Sequence, residues 1–179
     1  MKIGIDISQM AYPGTGVANY LKGLIEGLVV LDQDNEYVLF YSSMRKKFSP
    51  SAGGFNFQSN SNVSIRQFKF PPMVLDLLWN RLHVLPIESL IGDVDLFVTS
   101  DWTEPPTRRA KKATILYDLI VYKYPNETDK KIVTTQKRKL KWVKRESDVV
   151  LCISESTKKD AIEVLGIEES RLKVINAGI

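Results

Sequence analysis

Three short stretches of this 179-residue sequence bring together backbone and side chains that could bind or act on a ligand. In the first, Pro13-Gly14-Thr15-Gly16 lies between an apolar run and a stretch carrying Val17, Tyr20, Leu21, Leu24 and Leu28 at helical spacing. Gly14 and Gly16 have no Cβ, so the backbone can bend sharply and come close to a ligand. Free N–H groups at the start of the next helix make a small positive pole suited to phosphate or sugar oxygens. A tight turn with no ligand uses the same residues, and neither a dinucleotide fingerprint nor a Walker lysine follows Gly16. In the second stretch, Tyr117-Asp118-Leu119 ends an apolar run. Asp118 there can accept hydrogen bonds from sugar hydroxyls or cap the next segment. In the third, Ser154 and Glu155 follow another apolar run, where Ser154 can open a helix.

Charge is a fourth feature. The net charge is +4, yet residues 108–145 hold thirteen lysines and arginines against Asp118, Glu127 and Asp129. The basic face of the helix reading Lys137-Arg138-Lys139-Leu140-Lys141-Trp142-Val143-Lys144-Arg145 is either solvated or drawn to an anionic surface. Leu140 and Val143 with Val133 and Gln136 mark its inward stripe, which leaves the cations outside. Arg108, Arg109, Lys111 and Lys112 add a second basic cluster. Nucleic acid is attracted by the same charge, but no recognised binding module accompanies it, and none is expected as a partner.

The elements that must position these groups alternate. Strands are predicted at Ile3–Ile7, Tyr37–Tyr41, Val63–Phe68, Leu96–Thr99, Ala113–Tyr117, Val149–Ile153 and Leu172–Ile175, and helices at Gly16–Leu31, Val74–Leu90, Lys130–Glu146 and Glu155–Leu165. Ser49 to Asn62 reads as a loop. Short apolar strands without clean alternation are buried on both faces, so the expected fold is α/β: a Rossmann-like, doubly wound, mostly parallel sheet spanning residues 1–179 as one domain. In such sheets ligands bind at the carboxyl ends of the strands where strand order reverses, and all three stretches fall at strand ends.

Composition narrows the chemistry further. One cysteine, Cys152, and one histidine, His83, exclude an internal disulfide, a thiolate metal cluster and a HExxH zinc site. Cys152 reads as a small core residue, and His83 as an inert boundary histidine without an acid or metal partner. The cysteine usage fits a reducing compartment, and no segment reaches the roughly 18 apolar residues of a membrane span.

The order of the pieces carries a resemblance that no single motif does. Gly14-Thr15-Gly16-Val17 before a helix, then LDQDNEYVLFYS, DLFVTSDWTEPP, TILYDLIVYKYPNET, SDVVLCISESTKKDAIEVLGI and LKVINAGI, is similar along the whole chain to bacterial family 4 glycosyltransferases of the GT-B fold. The closest likeness is to mannosyl- and rhamnosyl-type enzymes of cell-surface polysaccharide assembly. The resemblance implies an N-terminal, acceptor-side domain, with a nucleotide-sugar domain lying beyond Ile179 and retention at the anomeric carbon. It implies Gly14, Thr15 and Gly16 as substrate-binding residues and Tyr117 and Asp118 as catalytic ones, and Ser154 and Glu155, at the end of a neighbouring strand, are expected to join the substrate-binding set. It further implies no cofactor or metal, and a nucleotide sugar and a glycan or lipid-linked acceptor as substrates; the cysteine usage and the basic helix add the expectation of a cytoplasmic location at the inner face of the plasma membrane. Lys137, Arg138, Lys141, Lys144 and Arg145 are then the membrane-facing residues. Tyr117 stands where the family commonly has histidine, and without its other half the 179-residue chain is expected not to turn over. A non-catalytic scaffold that kept this fold is the competing reading.

Overall fold

The computed structural model describes residues 1–48 and 62–176. The loop expected from Ser49 therefore lies outside the described residues except for Asn62. Seven strands form one all-parallel sheet: β1 (Lys2–Asp6), β2 (Glu36–Ser42), β3 (Val63–Phe68), β4 (Leu96–Thr99), β5 (Lys111–Leu116), β6 (Val149–Cys152) and β7 (Leu172–Val174), in the order β3-β2-β1-β4-β5-β6-β7. The Rossmann-like α/β expectation holds. Each predicted strand is present, with bounds shifted by one or two residues where they differ.

Alternation along the strands sends successive side chains to opposite faces. Ile5, Leu39, Val98 and Ile115 turn to one face and pack with Leu21, Ile25 and Val29 of helix α1 (Gly16–Leu31). The other face carries two apolar clusters. Val38, Phe40 and Phe97 meet Leu75 and Trp79, from α2 (Pro72–Leu75) and the π-helical turn Asp76–Arg81 that continues it, and Ile91 of α3 (Glu88–Ile91). Leu116, Val150 and Cys152 meet Leu140 and Val143 of α5 (Lys130–Glu146), which follows a short α4 (Ile120–Lys123). Helix α6 (Glu155–Asp160) completes this side, running on through a π-helical turn to Gly166, whose φ of 63° ends it as a left-handed cap. Cys152 is the buried core residue the sequence implied, and burial pushes its thiol up to about 11. Gly4 is required for space. It pairs with Phe97 in the ladder, and a Cβ there would lie 2.7 Å from the Phe97 ring and 2.9 Å from Ile91 Cδ1.

The helix expected over Val74–Leu90 does not form as one piece. His83 and Leu85 take φ values of 51° and 66°, and Leu85 precedes Pro86, a position from which α-helical geometry is disfavoured. The break is held by the Trp79 indole, which donates to the Leu85 carbonyl at 2.9 Å.

Candidate functional site

Strand order reverses between β1 and β4, and there a groove of about 710 Å³ opens at the carboxyl ends of the strands. Asp6, Ser8 and Tyr12 line it after β1, Phe70 and Met73 beside α2, and Lys131, Thr134 and Arg138 along α5. A second cavity of about 230 Å³ lies between the end of β5 and α5, with Asp101, Tyr117, Asp118, Gln136 and Lys139 in its wall. Trp102 and Ile132 border both.

The segment after β4 is held at three consecutive carbonyls. Ser100 O accepts from Lys139 Nζ at 2.5 Å, Asp101 O from Gln136 Nε2 at 3.0 Å, and Trp102 O from Asn80 Nδ2 at 2.9 Å. Asn80 Oδ1 in turn accepts from the Glu104 amide at 3.1 Å. Below this segment lies a polar seam between the two apolar clusters. The Glu104 carboxylate, fully buried, accepts from Thr99 and Thr114 and pairs with Lys112 at 3.1 Å, and Lys112 reaches Glu146 at 3.1 Å. Burial is the main force on the charges beneath the groove. It pushes the Lys139 amine below its ordinary value and the Asp6 and Asp101 carboxyls above theirs, against the mutual attraction of these opposite charges.

Two expectations about charge are corrected here. Lys139 and Lys112, both read as outward cations, are each only 2% exposed. Lys112 is held by Glu104 and Glu146, and Lys139 by the Ser100 carbonyl within the field of Glu104, Asp101 and Asp6, the compensation a buried ammonium requires. His83 does have an acid partner. Its Nε2 lies 2.9 Å from Glu146 Oε2, its Nδ1 2.8 Å from the Trp79 carbonyl, and its ring stacks on Trp142 at 3.6 Å. Sixty-three residues separate His83 from Glu146, so sequence spacing carried no sign of the pair.

The three expected stretches meet at the same edge of the sheet. Gly14 has φ +85°, and a Cβ at Gly14 or Gly16 would meet nothing within 4 Å, so the turn opens to free space. Thr15 caps α1 by accepting from the Ala18 amide at 3.3 Å while donating to Tyr12 O at 3.0 Å, which ties the turn to the groove wall. Tyr20 of the same helix meets Tyr117 edge-on at 5.7 Å. The Tyr117 hydroxyl lies 3.4 Å from Ser100 Oγ, and burial pushes its phenol well above the usual range. Asp118 is exposed and accepts from the Ile120 amide at 3.0 Å, a turn-type bond just ahead of α4, whose N-cap is Leu119. Ser154 caps α6 through the Thr157 amide, and the Thr157 hydroxyl donates to Tyr117 O at 3.1 Å, joining the ends of β5 and β6. Glu155 is exposed beside them.

The profile of Glycosyltransferase Family 4 matches residues 14–179, from the first glycine of the turn onward. The chain belongs to glycosyltransferase family 4. Solved structures similar to this family 4 domain include a glycosyltransferase from Rickettsia africae ESF-5, at 14% identity and TM-score 0.49, covering 99% of this chain and 43% of that one. An α-glucosyltransferase in complex with UDP and a 13-mer DNA containing a central A:G mismatch is similar at 13% identity and TM-score 0.43, over 100% of this chain and 40% of its own. The chain thus spans less than half the length of either. No curated protein matches it in sequence.

On the basic face of this domain, Lys137 lies 5.0 Å over the Tyr122 ring, and Lys141 and Arg145 lie 6.0 and 5.5 Å from that of Trp142. Lys144 is exposed, whereas Arg138 is half-buried and pairs with Asp76 at 3.5 Å. Among the described residues no helix is long and apolar enough to cross a membrane. Asp6, Asp101, Trp102 and Lys139 are the site residues that sequence reasoning passed over. Trp102 alone left a signal, as an aromatic residue following a strand end.

Proposed function

We propose that this chain is the acceptor-side domain of a retaining glycosyltransferase that moves a sugar from a nucleotide-sugar donor to a glycan or lipid-linked acceptor. The observation that carries the reading is the groove at the β1–β4 reversal with the open Gly14–Gly16 turn at its rim. Such a groove suits an extended polyhydroxylated acceptor, because acids, amides and hydroxyls alternate there with apolar walls. The turn can offer backbone N–H groups to donor oxygens, and Tyr117 and Asp118 lie beside the transferred sugar. The diphosphate and nucleotide are held by a second domain, which supplies the electrostatic stabilisation of the leaving group that this half lacks. The transfer needs no metal. The acceptor belongs to cell-surface polysaccharide assembly at the cytoplasmic face of the membrane, where the outward cations of α5 meet anionic lipid.

Transfer assays with uridine and guanosine diphosphate sugars test this. The 179-residue chain is expected to give no turnover by itself, and a protein in which it is joined to a nucleotide-sugar-binding domain to transfer sugar. Turnover by the chain alone overturns the division of labour. Tyr117 in place of histidine favours the scaffold reading. That reading prevails if the two-domain protein is inactive and Tyr117→His restores transfer.

A further inference from the structure

The three tryptophans of this chain are committed differently. Trp79 is fully buried and its indole N–H donates to Leu85 O. The Trp142 indole N–H donates to Asn80 O at 2.9 Å, and its ring is covered by His83. Trp102 is partly buried, and among the described residues its indole N–H has no hydrogen-bond partner. It is also the residue, with Ile132, that borders both the groove and the smaller cavity.

The backbone under Trp102 is fixed to an unusual degree for a loop. The three carbonyls from Ser100 to Trp102 are bonded by Lys139, Gln136 and Asn80, and Asn80 also takes the Glu104 amide. The chain is anchored again on its far side, where the buried Glu104 binds Thr99, Thr114 and Lys112. Two of the three carbonyl donors come from α5 and one from the π-helical turn, a departure from α-geometry that often marks functional positions. Bonds of this kind fix the backbone that carries the indole, so a ligand on the ring has only the side-chain torsions left to order.

We propose that Trp102 is the platform for the acceptor's terminal pyranose ring and thereby a residue that determines acceptor specificity. A pyranose presents a face of C–H groups, which carries partial positive charge and meets the negative π-face of an indole. Its equatorial hydroxyls point outward from that face. Around Trp102 they meet Asp101 and Gln136 on the cavity side and Thr134 and Thr135 on the groove side. A ring lying on the indole at the junction of the two cavities holds its reactive hydroxyl toward Tyr117 and Asp118. This inference rests on the acceptor-side reading above and narrows it to a sugar, in place of a lipid chain, at the point of transfer.

The test is a titration of the 15N-labelled chain with methyl α-mannopyranoside, methyl α-rhamnopyranoside, methyl α-glucopyranoside and methyl N-acetylglucosaminide, with cyclohexanol as an apolar ring of the same size. At least one glycoside is expected to move the Trp102 indole N–H signal while those of Trp79 and Trp142 stay, and to receive saturation chiefly at C–H groups of one ring face. Trp102→Ala should lower that saturation roughly five-fold, and Trp102→Phe should restore most of it, since a smaller π-face keeps part of the contact. A response to none of the four glycosides, an equal response to cyclohexanol, or an unchanged glycoside response in Trp102→Ala overturns the proposal. Sugar transfer is not required for any of these readouts. Absence of transfer by the two-domain protein therefore refutes the enzymatic reading without touching this one, and transfer by it with an acceptor KM unaltered by Trp102→Ala does the reverse.

Discussion

Lys139 Nζ donates to the carbonyl of Ser100 at 2.5 Å, from a helix 39 residues later in the chain. This bond joins α5 to the end of β4 beneath the groove, and it explains why a lysine in a highly basic helix is turned inward. The carbonyl accepts one hydrogen bond, and Asp6, Asp101 and Glu104 supply opposing charge. The loop that separates the two cavities is thus held by a charge as well as by packing.

The seam next to it gives the first stability prediction. Lys112 and Glu104 pair at 3.1 Å with 3% and 0% of their side chains exposed. Lys112→Met leaves Glu104 as a buried charge without its ammonium partner and is expected to cost about 3–5 kcal/mol in urea unfolding. Glu104→Gln added to it removes that charge while an amide oxygen still accepts from Thr99. The double variant should therefore be more stable than Lys112→Met alone. Equal midpoints for the two would show that the pair is not coupled.

The His83–Glu146 contact predicts a pH dependence. Burial raises the Glu146 carboxyl, but the His83 hydrogen bond and the Lys112 charge outweigh it and bring the group below its ordinary value of 4.5. The folded protein therefore binds fewer protons at Glu146 than the unfolded chain does as pH falls through that value. The stabilisation is full above it and is lost as pH drops through the lowered one. Glu146→Gln should cost about 1 kcal/mol at neutral pH, since a partly exposed pair is screened by solvent. The gap between wild type and variant in urea midpoint should narrow as pH falls below 4.5. A gap constant with pH would contradict this.

Two glycines separate structural from functional need. Gly4→Ala drives a Cβ to 2.7 Å from the Phe97 ring and should lower stability by about 1–3 kcal/mol. Gly16→Ala enters open space at the first turn of α1 and should change stability by less than about 0.5 kcal/mol. A loss of donor binding by the two-domain protein carrying Gly16→Ala, with its melting curve unchanged, marks the turn as ligand-facing. Unchanged binding marks it as a plain turn.

For the basic face, vesicles rich in anionic lipid should retain the chain at low salt and release it as salt approaches about 0.1 M and the screening length falls to about 10 Å. Lys137→Gln, Lys141→Gln and Lys144→Gln together should abolish retention while leaving the Arg138–Asp76 pair intact. Retention that survives all three assigns these residues to solubility.

Much of the fold was legible without coordinates. The seven strands, α1 and α5 follow from runs of apolar residues, and Ser154 and Gly166 bound α6 as their types imply. The helix over residues 74–90 was misread because its apolar period continues through His83 and Leu85. What breaks it is the indole of Trp79 bonding to Leu85 O and the proline that follows, and neither alters that period. Gly14, Tyr117 and Ser154 were singled out because glycine, strand-end and capping signals are local. Lys139 and Trp102 were not found as site residues, because a cation or an indole looks the same in sequence whether it is buried, stacked or free.

By itself the sequence determined which segments are strands and helices, that the sheet is parallel, and that a glycine turn opens at one strand's end. All of these are properties of residues within a few positions of one another. Only the tertiary structure decided which cations lie inside, which histidine has a carboxylate, and which tryptophan faces the two cavities. Burying a charge or freeing an indole depends on whether partners from distant elements converge on the same few ångströms, and that convergence exists only once the sheet has assembled.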